Sequence, residues 1–75
     1  MQIDSIMGKQ DIVWSPGLTA KDAASAMEDI LGYEGAIHKW DNEGRRFVGE
    51  KLEDHWIIDR NTSYIFVGRL ALVDA

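Results

Sequence analysis

Apolar residues at Ala20, Ala23, Ala24, Met27, Ile30 and Leu31 recur at the i, i+3, i+4, i+7 spacing of one helical face, and they predict a single helix between Leu18 and Gly32. The opposite face is polar. Thr19 stands where an N-cap is needed, Asp22 lies three residues on in a capping-box position, and Leu18 can staple against Ala23. Gly32, where the periodicity stops, can take the left-handed conformation that ends helices. Because the face is mostly alanine it can lie close to a sheet while burying little area, so its grip is expected from Met27, Ile30 and Leu31.

The remaining apolar positions follow strand rather than helix spacing. Before the helix, Ile3 to Met7 and Ile12 to Trp14 flank Gly8-Lys9, which suits a two-residue hairpin turn with glycine first and predicts strands at about 2–7 and 10–14. Ser15-Pro16-Gly17 then turns the chain into the helix. After it, Ala36 to Trp40 and Arg45 to Glu50 flank the turn Asp41-Asn42-Glu43-Gly44. Facing Trp40 with Arg45 sets Ile37 against Val48 and His38 against Phe47. A last hairpin is expected from His55 to Asp59 and Tyr64 to Val73, joined by Arg60 to Ser63, with Trp56, Ile58, Ile65 and Val67 on one surface and Ile57, Tyr64 and Phe66 on the other. Gly49 and Gly68 fall inside strands, where they mark a bulge or a close backbone approach.

This order predicts an α+β fold of the approximate form ββαββββ, one α-helix packed on a small antiparallel β-sheet, in a single domain spanning 1–75. A helix of about four turns is about 22 Å long and cannot cover both sides of such a sheet. Large apolar groups on both sides therefore predict a leftover face available for contact. Trp14, Trp40 and Trp56 serve either the core or such a contact, since tryptophan is favoured at binding hot spots.

Composition narrows the class of function. A chain of 75 residues buries only about 60–65% of its unfolded surface, so a second copy or a partner would help to stabilise it. With no cysteine there is neither a disulfide framework nor a thiolate metal site, which suits a reducing compartment, and a cytoplasmic location is expected. No basic segment followed by an apolar run opens the chain, and no window approaches the ~20 apolar residues of a membrane span. Asn61-Thr62-Ser63 matches a glycosylation acceptor only formally and reads as a polar turn.

Net charge is −5, and most of it lies in the first half, where Lys9 and Lys21 stand against Asp4, Asp11, Asp22, Glu28, Asp29 and Glu34. Such a domain suits steering toward a basic partner more than non-specific binding of nucleic acid. Glu28 and Asp29 near the helix end, with Asp22 and Glu34, form an acidic end that opposes the helix dipole. It is either a solvated face or a patch for a partner. Lys39, Arg45, Arg46 and Lys51 interleave with Trp40 and Phe47 in the manner of a single-stranded nucleic-acid platform, but Asp41, Glu43 and Glu50 nearly cancel their charge.

Catalytic signals are absent. Glu53-Asp54-His55 places neighbours on alternate sides of an extended strand, the glycines form no phosphate loop, and neither His38 nor His55 has a nucleophile at a recognisable spacing. The chain is expected not to be an enzyme and to need no cofactor and no metal.

Leu18-Thr19-Ala20-Lys21-Asp22-Ala23-Ala24-Ser25-Ala26, leading through Ile30-Leu31-Gly32 into Gly35-Ala36-Ile37 and a strand hairpin, resembles the small phage-encoded anti-CRISPR proteins that inhibit type I, multi-subunit surveillance complexes. The likeness runs from Leu18 to Val48, under half the chain, and is one of pattern rather than of a diagnostic motif. It implies a viral, non-enzymatic α+β inhibitor that occludes a nucleic-acid or nuclease-recruitment site on a CRISPR-associated subunit. On that reading Asp22, Glu28, Asp29 and Glu34 oppose Lys or Arg on the host subunit, and Trp40, Phe47 or another exposed ring anchors the contact. The alternatives are a small homodimer joined through the leftover sheet face and a single-stranded nucleic-acid module.

Overall fold

The computed structural model describes residues 1–41 and 48–69. They form an α+β fold in the order β1 (Gln2–Ile3), β2 (Gln10–Asp11), α1 (Ala20–Leu31), β3 (Gly35–Trp40), β4 (Val48–Lys51) and β5 (Tyr64–Gly68). β1 and β2 make a two-stranded antiparallel sheet, and β4-β3-β5 make a three-stranded one. A single parallel bridge between Asp4 and Ile65 stitches the two together, with Asp4 N–H donating to the Tyr64 carbonyl at 3.1 Å and Phe66 N–H donating to the Asp4 carbonyl at 2.8 Å.

The helix forms as its local chemistry dictates. Thr19 is the N-cap, its hydroxyl accepting from Asp22 N–H at 3.1 Å while the Asp22 carboxylate accepts from Thr19 N–H at 3.3 Å, so the capping box is closed in both directions. Gly32 ends the helix at φ 83° and donates to the Glu28 carbonyl at 2.7 Å. Ala20, Ala23 and Met27 are buried, whereas Ile30, expected to share the grip, is 47% exposed.

Three strand expectations are corrected. The first hairpin pairs Ile3 with Gln10 and leaves six residues between its strands, not two. Ser5 takes over the turn: its hydroxyl donates to the Gly8 carbonyl at 2.7 Å and accepts from Met7 N–H at 3.1 Å, so local side-chain bonding displaces the tighter turn. In the central pair, Trp40 lies opposite Val48 and His38 opposite Lys51, with a bulge between, instead of Trp40 opposite Arg45. Val48 thus shares the side of Trp40, not that of Ile37. The extra residue lies on β4 at Gly49-Glu50, where a glycine was expected to mark a bulge, and the Gly49 carbonyl meets His38 Nδ1 at 3.0 Å.

The third correction removes a strand. Residues 55–59 do not pair with β5, whose neighbours are β3 and Asp4, and they touch extended backbone only through a bridge from Ile57 to Thr19. The helix start attracts them instead. Ala20 N–H donates to the Trp56 carbonyl at 2.8 Å, Lys21 N–H to the Asp54 carbonyl at 3.1 Å, and Ile58 N–H to the Leu18 carbonyl at 2.7 Å. A helix start leaves four backbone N–H groups without intrahelical acceptors, and this segment satisfies two of them while the capping box satisfies the other two, at Thr19 and Asp22. The described order is therefore ββαβββ.

The core lies between α1 and the side of the sheet bearing Ile37, Tyr64 and Phe66, closed by Ile3, Ile12, Leu52 and Ile58. No helix among the described residues is long and apolar enough to cross a membrane.

Candidate functional site

A groove of about 540 Å³ runs between α1 and the start of β3. Its helix wall is the stripe Ala20, Ala24 and Glu28, spaced four residues apart, and the small alanine side chains leave the opening. Ile37 and Leu52 give it apolar side chains, Ala36 and Val67, which face the other side of the sheet, border it, and its charged groups are Glu28, Glu34, Asp54, Lys51 and Arg69. Arg69 is not free: its guanidinium meets Glu34 Oε2 at 3.2 Å, and its N–H donates to the Glu34 carbonyl at 2.8 Å. Sequence reasoning missed this pair, since 35 residues separate its members. Glu28 and Asp54 make no ion pair among the described residues, so the groove presents two unneutralised carboxylates against the Lys51 ammonium.

The expected acidic cluster divides. Asp22 and Asp29, seven residues apart, lie along one flank of α1, while Glu28 points to the groove flank about 100° away on the helical wheel. Asp22 is already engaged by the capping box. Glu34, just past the helix, joins Glu28 at the groove.

Trp40 is half-buried at the other end of β3, and its indole N–H is enclosed without an acceptor. Phe47 lies outside the described residues, as do Arg45 and Arg46 of the expected basic cluster. Lys39 and Lys51, the described part of it, sit opposite Tyr64 and His38 respectively and so project from opposite sides of the sheet. Those two lysines therefore do not share one face.

The leftover sheet face is only partly open. On the side away from Ile37 and Phe66, Ala36, His38, Trp40, Ile65 and Val67 are each half-buried, and Val48 on the same side is exposed. The large apolar groups left open are scattered instead: Ile6 and Met7 in the first turn, Val13 after β2, Ile30 on α1, Val48 on β4 and Ile57 in the 54–58 segment. Trp14 and Trp56 pack against the core, and Trp14 Nε1 donates to the Ile58 carbonyl at 3.0 Å.

His38 Nδ1 is hydrogen-bonded to a backbone carbonyl, its Nε2 is enclosed without a partner, and His55 is exposed. Among the described residues no three His, Asp or Glu side chains are grouped to hold a metal ion. The groove offers an apolar lining, two carboxylates without an ion pair among the described residues, and one ammonium. No protein-family model matches the chain, and neither a curated protein nor a solved structure is significantly similar to it.

Proposed function

We propose that the protein is a non-enzymatic inhibitor that sets the acidic groove end of α1 against a basic protein surface. The observation that supports this reading is the pair of carboxylates, Glu28 and Asp54, facing the groove without basic partners among the described residues, in a chain of net charge −5. Opposed charge steers encounter and fixes register, and the apolar groove lining gives the contact area that charge alone lacks. Asp29 extends the acidic surface on the far flank, and Asp22 contributes through the helix cap rather than by direct contact.

In the form that the resemblance to anti-CRISPR proteins implies, the basic surface is the DNA-binding or nuclease-recruitment site of a type I surveillance complex, and the inhibitor works in the cytoplasm of a bacterial host. A homodimer through the sheet face has less support, because that face is half-buried. The test is inhibition with purified components. Added protein is expected to abolish target-DNA binding or nuclease recruitment by a type I complex, and Glu28→Lys with Asp54→Lys is expected to restore it. Undiminished DNA binding and recruitment, with no co-migration of inhibitor and complex at low salt, would overturn the proposal.

A further inference from the structure

A second cleft, of about 290 Å³, opens where the turn between β1 and β2 meets the turn at 60–63 that leads into β5. Among the described residues its walls carry Lys9, Arg60 and Met1, whose amine is paired with Asp11, and no carboxylate. That is the reverse of the charge balance of the chain as a whole. Two acids beside it, Asp59 next to Arg60 in the chain and Asp11 on the adjoining cleft, are engaged. The Asp59 carboxylate accepts from Asn61 N–H at 2.9 Å and from the Thr62 hydroxyl at 3.2 Å, and Asp11, on the adjoining cleft, pairs with the Met1 amine at 3.3 Å.

Arg60 is held in position without being neutralised. Its guanidinium carbon lies 5.4 Å from the centre of the Trp14 ring, and Trp14 is itself fixed by its bond to the Ile58 carbonyl. Among the described residues Arg60 has no carboxylate partner. A guanidinium held over an aromatic face keeps N–H donors available to a phosphate, and Arg60 borders both this cleft and the adjoining one that Trp14 lines. The Asp59 bonds and the Thr62 N–H bond to the Asp59 carbonyl at 3.1 Å hold the 60–63 turn in shape before anything binds.

The cleft has more room than a bare oxyanion needs and falls near the lower end of small-molecule sites, about 300 Å³. Trp40 borders it with an aromatic ring, and Asn61 and Ser63 bring an amide and a hydroxyl, while the Thr62 hydroxyl is donated to Asp59. We propose that this cleft binds a nucleoside monophosphate, with Arg60 and Lys9 taking the phosphate and Trp40 lying along the base. The site is separate from the acidic groove, and neither reading depends on the other.

Titration of the ¹⁵N-labelled protein with adenosine monophosphate tests it. Saturable shifts are expected at Lys9, at residues 60–63 and at the Trp40 indole N–H, with adenosine and inorganic phosphate each binding roughly tenfold more weakly. Arg60→Gln is expected to weaken the nucleotide about tenfold and Lys9→Gln about threefold, with the rest of the spectrum unchanged. Absence of saturable shifts at millimolar nucleotide, equal shifts from adenosine, or full binding by both variants would overturn the proposal. So would shifts produced by a single-stranded oligonucleotide but not by the mononucleotide, which would mark a strand-binding surface instead.

Discussion

Gly35 and Gly68 lie directly opposite each other across the β3–β5 ladder, and the space that their missing side chains leave is filled by two rings. A Cβ at Gly35 would meet Phe66 Cζ at 2.6 Å and collide with the Val67 carbonyl, and one at Gly68 would meet Tyr33 Cε2 at 2.8 Å. The rings of Tyr33 and Phe66 themselves pack at 5.6 Å between centroids, tilted by 39°. Neither glycine has a positive φ, so what is required here is space and not a left-handed backbone.

Gly35→Ala is therefore expected to destabilise by about 1–3 kcal/mol through overpacking, and Gly68→Ala by less, because the half-buried Tyr33 ring can turn aside while the Val67 carbonyl cannot. Combining Gly35→Ala with Phe66→Leu should cost less than the sum of the two single changes. Thermal melts of the four proteins read this directly, and strict additivity would show that the ring and the glycine are not coupled.

Thr19→Ala removes the acceptor of Asp22 N–H and is expected to lower stability by about 1 kcal/mol. For a domain of this size that corresponds to a fall of about 4–8 °C in Tm. Thr19→Ser keeps the hydroxyl and should recover most of the loss, which a denaturant midpoint would show.

Asp29→Lys replaces an exposed acid in the last turn of α1, where no basic residue stands, with a charge that the helix dipole favours. A gain of about 0.3–1 kcal/mol is expected at low salt, shrinking as salt rises. If the same variant loses inhibition in the surveillance-complex assay, the acid is retained for contact at the expense of stability. Unchanged inhibition would confine the contact to the groove flank.

Trp14→Phe leaves the Ile58 carbonyl without its indole donor and is expected to cost about 1 kcal/mol. Phe66, Met27 and the other core residues are untouched, so the far-UV spectrum should not change. The substitution also loosens the seat of Arg60, and nucleotide affinity should fall with it while phosphate-free controls do not respond.

What was legible before the structure is what is fixed within a few residues of chain. The capping box of Thr19 and Asp22 and the stop at Gly32 rest on bonds or backbone geometry reaching at most a few positions away, and residue type reports them; the glycine at 49 marks a bulge whose partners, His38 and Trp40, lie on the neighbouring strand. The acidic end was visible as composition but not as an arrangement, because the helical turn sends Glu28 to one flank and Asp29 to the other.

The amino-acid sequence by itself determined one capped helix, strands on either side of it and an α+β class, since hydrophobic periodicity and turn chemistry are local properties. Tertiary structure decided which strand took which neighbour. Residues 54–58 carry strand-like apolar residues, yet the unsatisfied N–H groups of Ala20 and Lys21 drew their carbonyls away from the sheet, and β5 paired with β3 and Asp4 instead. The Glu34–Arg69 pair, the Gly35–Gly68 recess and the seating of Arg60 on Trp14 all join positions more than thirty residues apart. Such contacts are selected by competition among backbone donors and by the shape of the closed core, and no local pattern in the chain encodes the winner.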